Sequence, residues 1–331
     1  MRRAARPTVA LLAGALVLAG CGAGGGSTPG PSDGSVSSSA TSSAGPDAPL
    51  IDEDFPDPDV VATDDGWRAF ATGTNGLNIR TAATPDLRSW TVERRDVLPR
   101  LPAWATTGRT WAPDVSQRAD GTWVMYVTAQ HAASGRQCIG VATSPTADGT
   151  FTPADDEPLV CPVEEGGAID ASTFTDDDGT RYLLWKTDGN CCGLDTWLEI
   201  APLAEDGLAL AGEPTRLLKQ DQPWEGDLVE APVLVRHDDE YVLLYSANAY
   251  GGDAYAVGAA RATELLGPYT KQPGPVLASH GGLRGPGGQD VVPTEGGDVL
   301  VVHGWDELYT YRGLHSVPLR WDADGTVSTE G

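Results

Sequence analysis

Five segments of the chain share one pattern, an acidic or glycine-containing turn followed by alternating aromatic and aliphatic residues. This pattern predicts a β-strand that leaves a tight turn. The segments are DDGWRAFAT, ADGTWVMYVTA, DDGTRYLLWK, DDEYVLLYSA and GGDVLVVHGW. Their turns recur at steps of 55, 58, 60 and 58 residues, at Gly66, Gly121, Gly179, Asp239 and Gly297. Five units with a nearly constant period predict an all-β fold, a five-bladed β-propeller.

Each predicted unit also has a motif nine residues before its turn, and three of the five positions are acidic. The positions are Asp57, Ala112, Asp170, Glu230 and Gly288. In a propeller the innermost strand of each blade lines the central channel, so equivalent positions converge on one axis. Carboxylates that converge repel one another, and desolvation raises their pKa values, which is costly for a purely structural channel. The pattern therefore indicates a carboxylate-based active site.

The first residues of the chain predict export and a lipid anchor. Three arginines, an apolar run over residues 8–19 and the sequence Leu18-Ala19-Gly20-Cys21 resemble the signal of a bacterial lipoprotein. We expect residues 1–21 to be this signal and Cys21 to carry the lipid; an ordinary secretory signal is the alternative. The apolar run is too short for a transmembrane helix. The predicted location is extracellular, on the cell membrane through the lipid anchor.

Composition divides the rest of the chain into a linker and one domain. Residues 22–48 are Gly, Ser, Thr, Ala and Pro with almost no bulky apolar residue, which predicts a flexible linker. Residues 49–331 suit a single propeller and leave no room for a second sizeable domain. The net charge of −25 argues against nucleic acid as a partner, whereas a neutral polysaccharide tolerates an acidic surface. We expect a monomer that binds a polysaccharide or oligosaccharide.

Four cysteines fall in the predicted domain, at Cys138, Cys161, Cys191 and Cys192. Outside the cell, four cysteines suggest two disulfides, for which three pairings exist. A bond between Cys138 and Cys161 would join two segments of one blade. Cys191 and Cys192 would then form a bond between neighbours or remain thiols. A metal site is a weaker alternative, because no histidine or second CxxC pair stands beside them.

The three acidic motifs fit one kind of chemistry. Hydrolysis of a glycosidic bond needs a carboxylic acid that protonates the leaving oxygen and a carboxylate that activates water or attacks carbon. A third acidic group can raise the pKa of the acid by like-charge repulsion. The motifs are DFPDPDV from Asp54, AIDAS from Ala168 and VEAPV from Val229. With these motifs in this order and spacing, the chain from about Ile51 onward resembles glycoside hydrolase family 43.

The resemblance implies an inverting enzyme on a five-bladed propeller. Residue by residue, it implies that Asp57 is the general base, Asp170 the modulator of pKa and Glu230 the general acid. Inversion predicts that the carboxyl groups of Asp57 and Glu230 lie about 6.5 to 9.5 Å apart. A retaining family of sucrose and fructan hydrolases with a similar fold fits less well, because its Asn-Asp-Pro-Asn motif is absent.

The substrates that the resemblance implies are side chains of hemicellulose or pectin. We expect α-L-arabinofuranosyl linkages of arabinan or arabinoxylan; the alternatives are β-D-xylosidase and endo-1,5-α-L-arabinanase activity. The xylosidases of the family usually carry a further C-terminal β-sandwich, and this chain ends soon after the fifth unit. A hypothesis of another class is a carbohydrate-binding lipoprotein without catalytic activity.

Three further residues are candidates for substrate binding. Trp111 and Asp114, in WAPDV, occupy the second unit's motif position, where Trp111 either stacks on a sugar or packs between blades. Gln289 follows a position, Gly288, where many family members have a histidine that helps to bind a metal ion. We therefore expect no required cofactor, and a structural calcium ion in the channel is doubtful. His303 is expected to be a packed strand residue.

Overall fold

Five four-stranded antiparallel sheets make up the protein over residues 48–329, which are the residues that the computed structural model describes. Blade 1 has β1 Asp59–Thr63, β2 Gly66–Thr72, β3 Ile79–Thr84 and β4 Thr91–Glu93. Blade 2 has β5 Ala105–Gln117, β6 Trp123–His131, β7 Gln137–Ser144 and β8 Thr152–Pro153. Blade 3 has β9 Ala168–Thr175, β10 Arg181–Thr187, β11 Trp197–Pro202 and β12 Thr215–Lys219. Blade 4 has β13 Val229–His237, β14 Glu240–Ala247, β15 Ala256–Ala262 and β16 Thr270–Lys271, and blade 5 has β17 Arg284–Val292, β18 Val299–Trp305, β19 Arg312–Trp321 and β20 Val327–Thr329.

The predicted five-bladed β-propeller is confirmed. Each sheet consists of four strands that are consecutive in sequence, and every strand pair within a sheet is antiparallel. The five turn-and-strand segments found in the sequence are the second strands, β2, β6, β10, β14 and β18. Three short 3-10 turns lie in loops, at Val163–Glu165, Gly189–Cys192 and Pro223–Glu225. The predicted signal with Cys21, and the linker up to residue 47, lie outside the described residues.

The second strands are apolar on both faces because blades pack face to face. In β10, Leu183 belongs to a cluster with blade 2, while the next residue, Leu184, belongs to a cluster with blade 4. In β14, Leu243 packs toward blade 3 and Leu244 toward blade 5. Successive side chains of a strand point to opposite faces, so each second strand fills two interfaces between blades. This explains why these segments are nearly continuous apolar runs.

The ring of blades closes without a strand shared between the ends of the domain. The segment before β1 lies against β19, where Leu50 N–H donates a hydrogen bond to Leu314 O at 2.7 Å and Ile51 forms a bridge to Leu314. Between blades 5 and 1, the Asp290 carboxylate accepts a hydrogen bond from Val60 N–H at 2.8 Å. The first strands, β1, β5, β9, β13 and β17, are thereby held around one axis.

Two disulfides join cysteines within the described residues. Cys138 on β7 is bonded to Cys161, and Cys191 is bonded to its neighbour Cys192 in the 3-10 turn after β10. Within residues 48–329, no helix has the length and apolar character needed to cross a membrane.

Candidate active site

A cavity of about 640 Å³ lies on the axis of the propeller, where the first strands begin. All five first strands or the residues just before them contribute to its wall. The three acidic side chains predicted from the sequence, Asp57, Asp170 and Glu230, all line it. The volume is in the range of pockets that bind small molecules or short oligomers. The loop after β10 borders the cavity through Asn190 and Cys191.

The first strand of every blade has one residue in the left-handed region at the cavity. These residues are Asp57 (φ 53°), Ala112 (φ 40°), Asp170 (φ 56°), Ala231 (φ 49°) and Gly288 (φ 55°). In blades 2 to 5 the pairing with the second strand shifts register around this position, which is the geometry of a β-bulge. Strained backbone of this kind is found where a fold must aim side chains at a site.

The position of Glu230 within the repeat differs from the sequence prediction. Counting nine residues back from the turn placed Glu230 at the same position as Asp57 and Asp170, and this was wrong by one residue. Ala231 is the residue with the left-handed backbone in blade 4, and Glu230 precedes it. Because neighbouring residues in a strand point in different directions, Glu230 enters the cavity from another angle than the two aspartates.

Side chains near the ends of the second strands connect each blade to the next. They occupy equivalent places in the five blades and are Thr72, Thr128, Lys186, Ser246 and His303. Four of them accept a hydrogen bond from the left-handed residue of the following blade: Thr72 from Ala112 N–H at 2.8 Å, Thr128 from Asp170 N–H at 3.2 Å, Ser246 from Gly288 N–H at 3.0 Å and His303 from Asp57 N–H at 3.2 Å. We call these five residues the inter-blade ring.

Lys186 is the exception in the inter-blade ring, because an ammonium group cannot accept a hydrogen bond. Its Nζ instead donates to Glu230 Oε2 at 2.9 Å. The backbone N–H of Ala231, which lacks an acceptor on β10, donates to Asp170 Oδ2 at 3.0 Å. The interface between blades 3 and 4 therefore has no neutral acceptor from the inter-blade ring. This interface joins Asp170 of blade 3 to Glu230 of blade 4.

Asp57 lies among groups that favour its ionised form. Oδ2 accepts a hydrogen bond from Thr72 Oγ1 at 2.6 Å, and Oδ1 is 3.3 Å from Arg312 Nη1 and 3.1 Å from His303 Nδ1. Burial by itself raises the pKa of Asp57, but the Arg312 guanidinium and the hydrogen bond from Thr72 outweigh it and hold the pKa below its usual value. The carboxylate is therefore charged over the whole working range of pH.

Asp170 has the opposite tendency. Burial, together with repulsion from Glu230, raises its pKa well above the usual value, with Lys186 opposing and Asp57 adding to the shift. Two carboxylates that repel one another share a proton instead of both ionising. Asp170 thus holds its proton more tightly than a free aspartate does, while Asp57 remains charged.

Glu230 is held by two buried groups. Oε1 accepts a hydrogen bond from the Tyr255 hydroxyl at 2.8 Å, and Oε2 accepts the one from Lys186. Burial lowers the pKa of Lys186, but Glu230, Asp170 and Asp188 outweigh it and raise the pKa, so the lysine stays cationic. Burial raises the pKa of Tyr255 well above its usual value, so its hydroxyl remains a donor. The orientation of Glu230 is fixed at both oxygens.

The fifth blade leaves no room for a side chain at Gly288, the position at which the resemblance would place a metal-binding histidine. A side chain at Gly288 would begin 2.7 Å from both Asp57 Oδ1 and His303 Nδ1, which is closer than atoms can approach. His303 reaches Asp57 from β18 instead, and its ring lies parallel to that of Tyr255 with centroids 5.7 Å apart. The residues present therefore do not fit a metal site built on a histidine at Gly288. His303 is fully buried, as expected, yet it touches the predicted base.

A second layer of acidic residues lies two residues further along three of the first strands. Burial raises the pKa of Asp59 well above its usual value, that of Asp114 to about 6 and that of Asp290 to about 7. Asp59 also accepts a hydrogen bond from Val115 N–H at 3.0 Å and Asp114 one from Thr173 Oγ1 at 3.2 Å. Asp114 thus joins blade 2 to blade 3, a structural contact that its predicted role at the substrate did not include.

The other predicted substrate-binding residues have different environments. Trp111 is half-buried and lines the cavity, within reach of a molecule bound there. Gln289 also lines the cavity, but Oε1 accepts a hydrogen bond from Ser246 Oγ at 2.6 Å and Nε2 donates to Ala231 O. Its amide therefore joins blades 4 and 5 next to Glu230, a role that the sequence prediction did not include.

Sequence reasoning missed four residues that contact the acidic groups, namely Thr72, Lys186, Tyr255 and Arg312. The sequence does contain a signal for two of them, Thr72 and Lys186. Each apolar second strand reaches a polar residue six or seven positions after the turn, and these polar residues are the inter-blade ring. Tyr255 and Arg312 lie outside that pattern, and the repeat gives no signal for them.

Three groups in one cavity can thus divide the work of an acid–base reaction. The charged Asp57 can take a proton from water, and the pair of Asp170 and Glu230 can give a proton to a leaving atom. They approach the cavity from blades 1, 3 and 4, which leaves the axis between them for a reacting molecule.

Comparison with known proteins identifies one matching family. The model of a family described as "Glycosyl hydrolases family 43" matches residues 46–327. Among solved structures, "Crystal structure of a thermostable family-43 glycoside hydrolase" superposes with a TM-score of 0.75 at 26% identity, over 84% of this chain and 93% of that one.

Two curated proteins are similar over most of the domain. The "Extracellular endo-alpha-(1->5)-L-arabinanase 1" of Bacillus subtilis is 26% identical over 272 residues, which cover 76% of this chain and 80% of that protein. The "Beta-D-galactofuranosidase xynD" of Aspergillus niger is 26% identical over 234 residues, 67% of this chain and 64% of that protein. The two names give different sugars, so the similarity leaves the linkage open.

Proposed function

The chain belongs to glycosyl hydrolase family 43, and we propose that it cleaves α-L-arabinofuranosyl linkages of plant cell-wall polysaccharides with inversion of configuration. The observation that carries this proposal is the division of protonation in one cavity. Asp57 is held ionised by Arg312, while burial and repulsion from Glu230 raise the pKa of Asp170. An inverting glycosidase needs one charged and one protonated carboxyl group at the same time.

The proposed reaction proceeds in one displacement. Asp57 takes a proton from a water molecule as the water oxygen bonds to the anomeric carbon. Glu230 gives its proton to the glycosidic oxygen on the other face as the bond between that oxygen and the anomeric carbon breaks. Asp170 lies near enough to Glu230 to favour the protonated state of the pair, and its contact with Ala231 N–H fixes the strand that carries Glu230.

Support for arabinan as the substrate comes from the Bacillus relative, whose name specifies an α-(1→5)-L-arabinan linkage. The similarity to that relative also keeps endo-1,5-α-L-arabinanase as an alternative to the arabinofuranosidase. β-D-Xylosidase activity is the remaining alternative, and it rests on the substrate range that the family resemblance implies.

The proposal is tested by hydrolysis of aryl glycosides of arabinofuranose, xylose and galactofuranose and of linear and branched arabinan and xylan. We expect the wild type to release arabinose, and Asp57→Asn and Glu230→Gln to lower kcat/KM on arabinan by a factor of about 10³ or more. Release of xylose alone would show that the enzyme has β-D-xylosidase activity instead. Binding of glycans without hydrolysis of any substrate would favour the carbohydrate-binding alternative.

We further propose that the domain is exported and tethered to the membrane through Cys21. The word "Extracellular" in the name of the Bacillus relative supports export. Expression of the full chain in a bacterial host, followed by detergent phase partition, tests the tether. We expect the wild type in the detergent phase and Cys21→Ser in the aqueous phase; an aqueous wild type would indicate an ordinary secretory signal. A monomer in solution remains our prediction for the domain.

A further inference from the structure

Three aromatic side chains form an exposed surface at the edge of the cavity. They are Tyr250, in the loop after β14, Trp305, the last residue of β18, and Tyr309, in the turn between β18 and β19. We call them the aromatic platform. The rings of Tyr250 and Trp305 are nearly parallel, with an interplanar angle of 17° and centroids 6.4 Å apart, and the rings of Trp305 and Tyr309 are 5.9 Å apart. Tyr250 is 53% exposed and Tyr309 is 37% exposed.

The platform is held rigid by polar contacts at the edges of its rings. Trp305 Nε1 donates a hydrogen bond to Tyr250 O at 2.7 Å, and the Tyr309 hydroxyl bonds to the Asp253 carboxylate. The Arg284 guanidinium lies 5.7 Å from the centre of the Tyr309 ring. The two hydrogen bonds use the edges of the indole and one phenol, whereas the Arg284 guanidinium lies over one face of the Tyr309 ring. A surface that is ordered before binding loses little conformational entropy when a ligand arrives.

Arg312 connects the platform to the reacting groups. Its guanidinium carbon lies 4.9 Å from the ring centre of Tyr250 and 5.7 Å from that of Trp305. The same guanidinium is the cation that holds Asp57 ionised. Arg312 and Tyr250 both line the cavity, so the platform continues the cavity wall outward to the surface. A molecule that extends out of the cavity on this side must pass over these rings.

The chemistry of the platform selects its ligand. A cluster of ordered aromatic rings on a protein surface marks a binding site, and the apolar C–H face of a sugar ring packs well on an aromatic face. The Asp253 carboxylate, which accepts a hydrogen bond from the Tyr309 hydroxyl through Oδ1, has a second oxygen that can accept one from a sugar hydroxyl group. We propose that the aromatic platform binds the sugar units of a polysaccharide chain next to the unit that is cleaved.

This inference rests on the proposed function, because it assigns the platform to the same substrate. Binding energy from units outside the reaction centre can be used to hold the reacting unit in place. A polymer that covers the platform therefore gains over a small aryl glycoside, which ends inside the cavity. The platform makes the enzyme specific for chains of sugars, as opposed to isolated terminal units.

The experiment compares Trp305→Ala and Tyr309→Ala with the wild type, in the full chain, on the polysaccharide that the wild type hydrolyses and on the aryl glycoside of the same sugar. We expect kcat/KM on the polysaccharide to fall about tenfold, which corresponds to the loss of about 1.4 kcal/mol of binding, and to fall less on the aryl glycoside. Trp321→Ala is the matched control, because Trp321 stacks on His237 at the far end of β19, the strand that begins with Arg312. We expect the control to keep the wild-type ratio of the two rates.

Two results would overturn the inference. One is an equal loss of kcat/KM on the polysaccharide and on the aryl glycoside, which would show that the platform only supports Arg312. The other is an unchanged ratio with the loss of a dimer in sedimentation, which would make the occupant a second copy of the chain. The Arg312 guanidinium lies over the rings of Tyr250 and Trp305 and not over that of Tyr309. Tyr309→Ala therefore tests the inference without removing a contact of Arg312 if Trp305→Ala does not fold. Hydrolysis of no polysaccharide by the wild type would instead contradict the proposed function itself.

Discussion

At the scale of single residues, the electrostatic environment of Asp57 makes the first prediction. Arg312 holds its pKa low, so the base stays ionised as pH falls and the acidic limb of the kcat/KM profile lies below the usual pKa of an aspartate. In Arg312→Met this cation is lost, and the acidic limb should move to higher pH by about one unit or more. A pH–rate profile measures the shift.

The control for this prediction is Arg284→Met, which removes a guanidinium from the same aromatic cluster without contact to Asp57. Its acidic limb should stay at the wild-type pH. If both variants have the wild-type limb, a group other than Asp57 acts as the base.

Lys186 makes the second prediction. In Lys186→Met the pair of Asp170 and Glu230 loses the buried cation that opposes its proton, so the proton is held more tightly. The alkaline limb of the pH profile should move to higher pH, and kcat should fall about tenfold or more because Glu230 loses its fixed orientation. Steady-state kinetics over a range of pH measure both.

A second buried lysine provides the matched control. Lys271 Nζ lies 2.8 Å from the carboxylate of Glu225, which is fully buried, and this pair does not line the cavity. Lys271→Met should lower stability and leave the alkaline limb in place. If the alkaline limb of the pH profile moves by the same amount in Lys186→Met and Lys271→Met, the shift comes from loosened packing.

At the scale of elements, the inter-blade ring joins the blades at the strained residues of the first strands. In Thr72→Val and in Thr128→Val, one buried backbone N–H loses its acceptor, that of Ala112 or of Asp170. Each change should lower the free energy of unfolding by about 1–3 kcal/mol, measured by denaturant unfolding. Thr72 also donates to Asp57, so we expect the acidic limb to move only in Thr72→Val. Equal pH profiles in the two variants would contradict this assignment.

The elements were predictable from the sequence to different degrees. The period and the apolar second strands predicted five blades, because each blade must bury both faces of that strand. The phase of Glu230 was missed because the count in blade 4 began at Asp239, whereas the pairing of His237 with Glu240 is equivalent to that of Thr63 with Gly66 in blade 1. A count from the turn is wrong by one residue when its starting residue is.

Side chains that come from other elements were harder to predict. Arg312, at the start of β19, reaches Asp57 across the junction of blades 5 and 1, a separation of 255 residues. The sequence candidate for a sugar-binding aromatic, Trp111, is half-buried in the cavity wall, and the exposed rings of Tyr250 and Tyr309 come from loops instead. Contacts that depend on how loops meet are set by the whole fold and leave no periodic signal.

At the scale of the whole molecule, the buried acids predict how stability depends on pH. Asp59, Asp114, Asp170 and Asp290 all have pKa values raised by burial, so the folded protein holds protons that the unfolded chain releases. Their contribution is complete below about pH 4 and is lost as pH rises to about 7 or above. The net charge of −25 acts in the same direction.

We therefore expect the melting temperature to be higher at pH 5 than at pH 8, by about 5 °C or more. Asp290→Asn should reduce this difference, because the residue no longer has to ionise in the interior. The control Asp238→Asn removes one charge from a side chain that is 90% exposed and should leave the difference unchanged. A melting temperature that rises toward pH 8 would contradict the raised pKa values.

We propose that Asp57 activates water for direct displacement at the anomeric carbon, and the configuration of the first product tests this role. Proton NMR during hydrolysis of an aryl α-L-arabinofuranoside, or of the aryl glycoside that the enzyme prefers, distinguishes the two anomers before they equilibrate. We expect the first product to have the configuration opposite to that of the substrate. A first product with retained configuration would contradict it, because retention requires a carboxylate that bonds to the sugar.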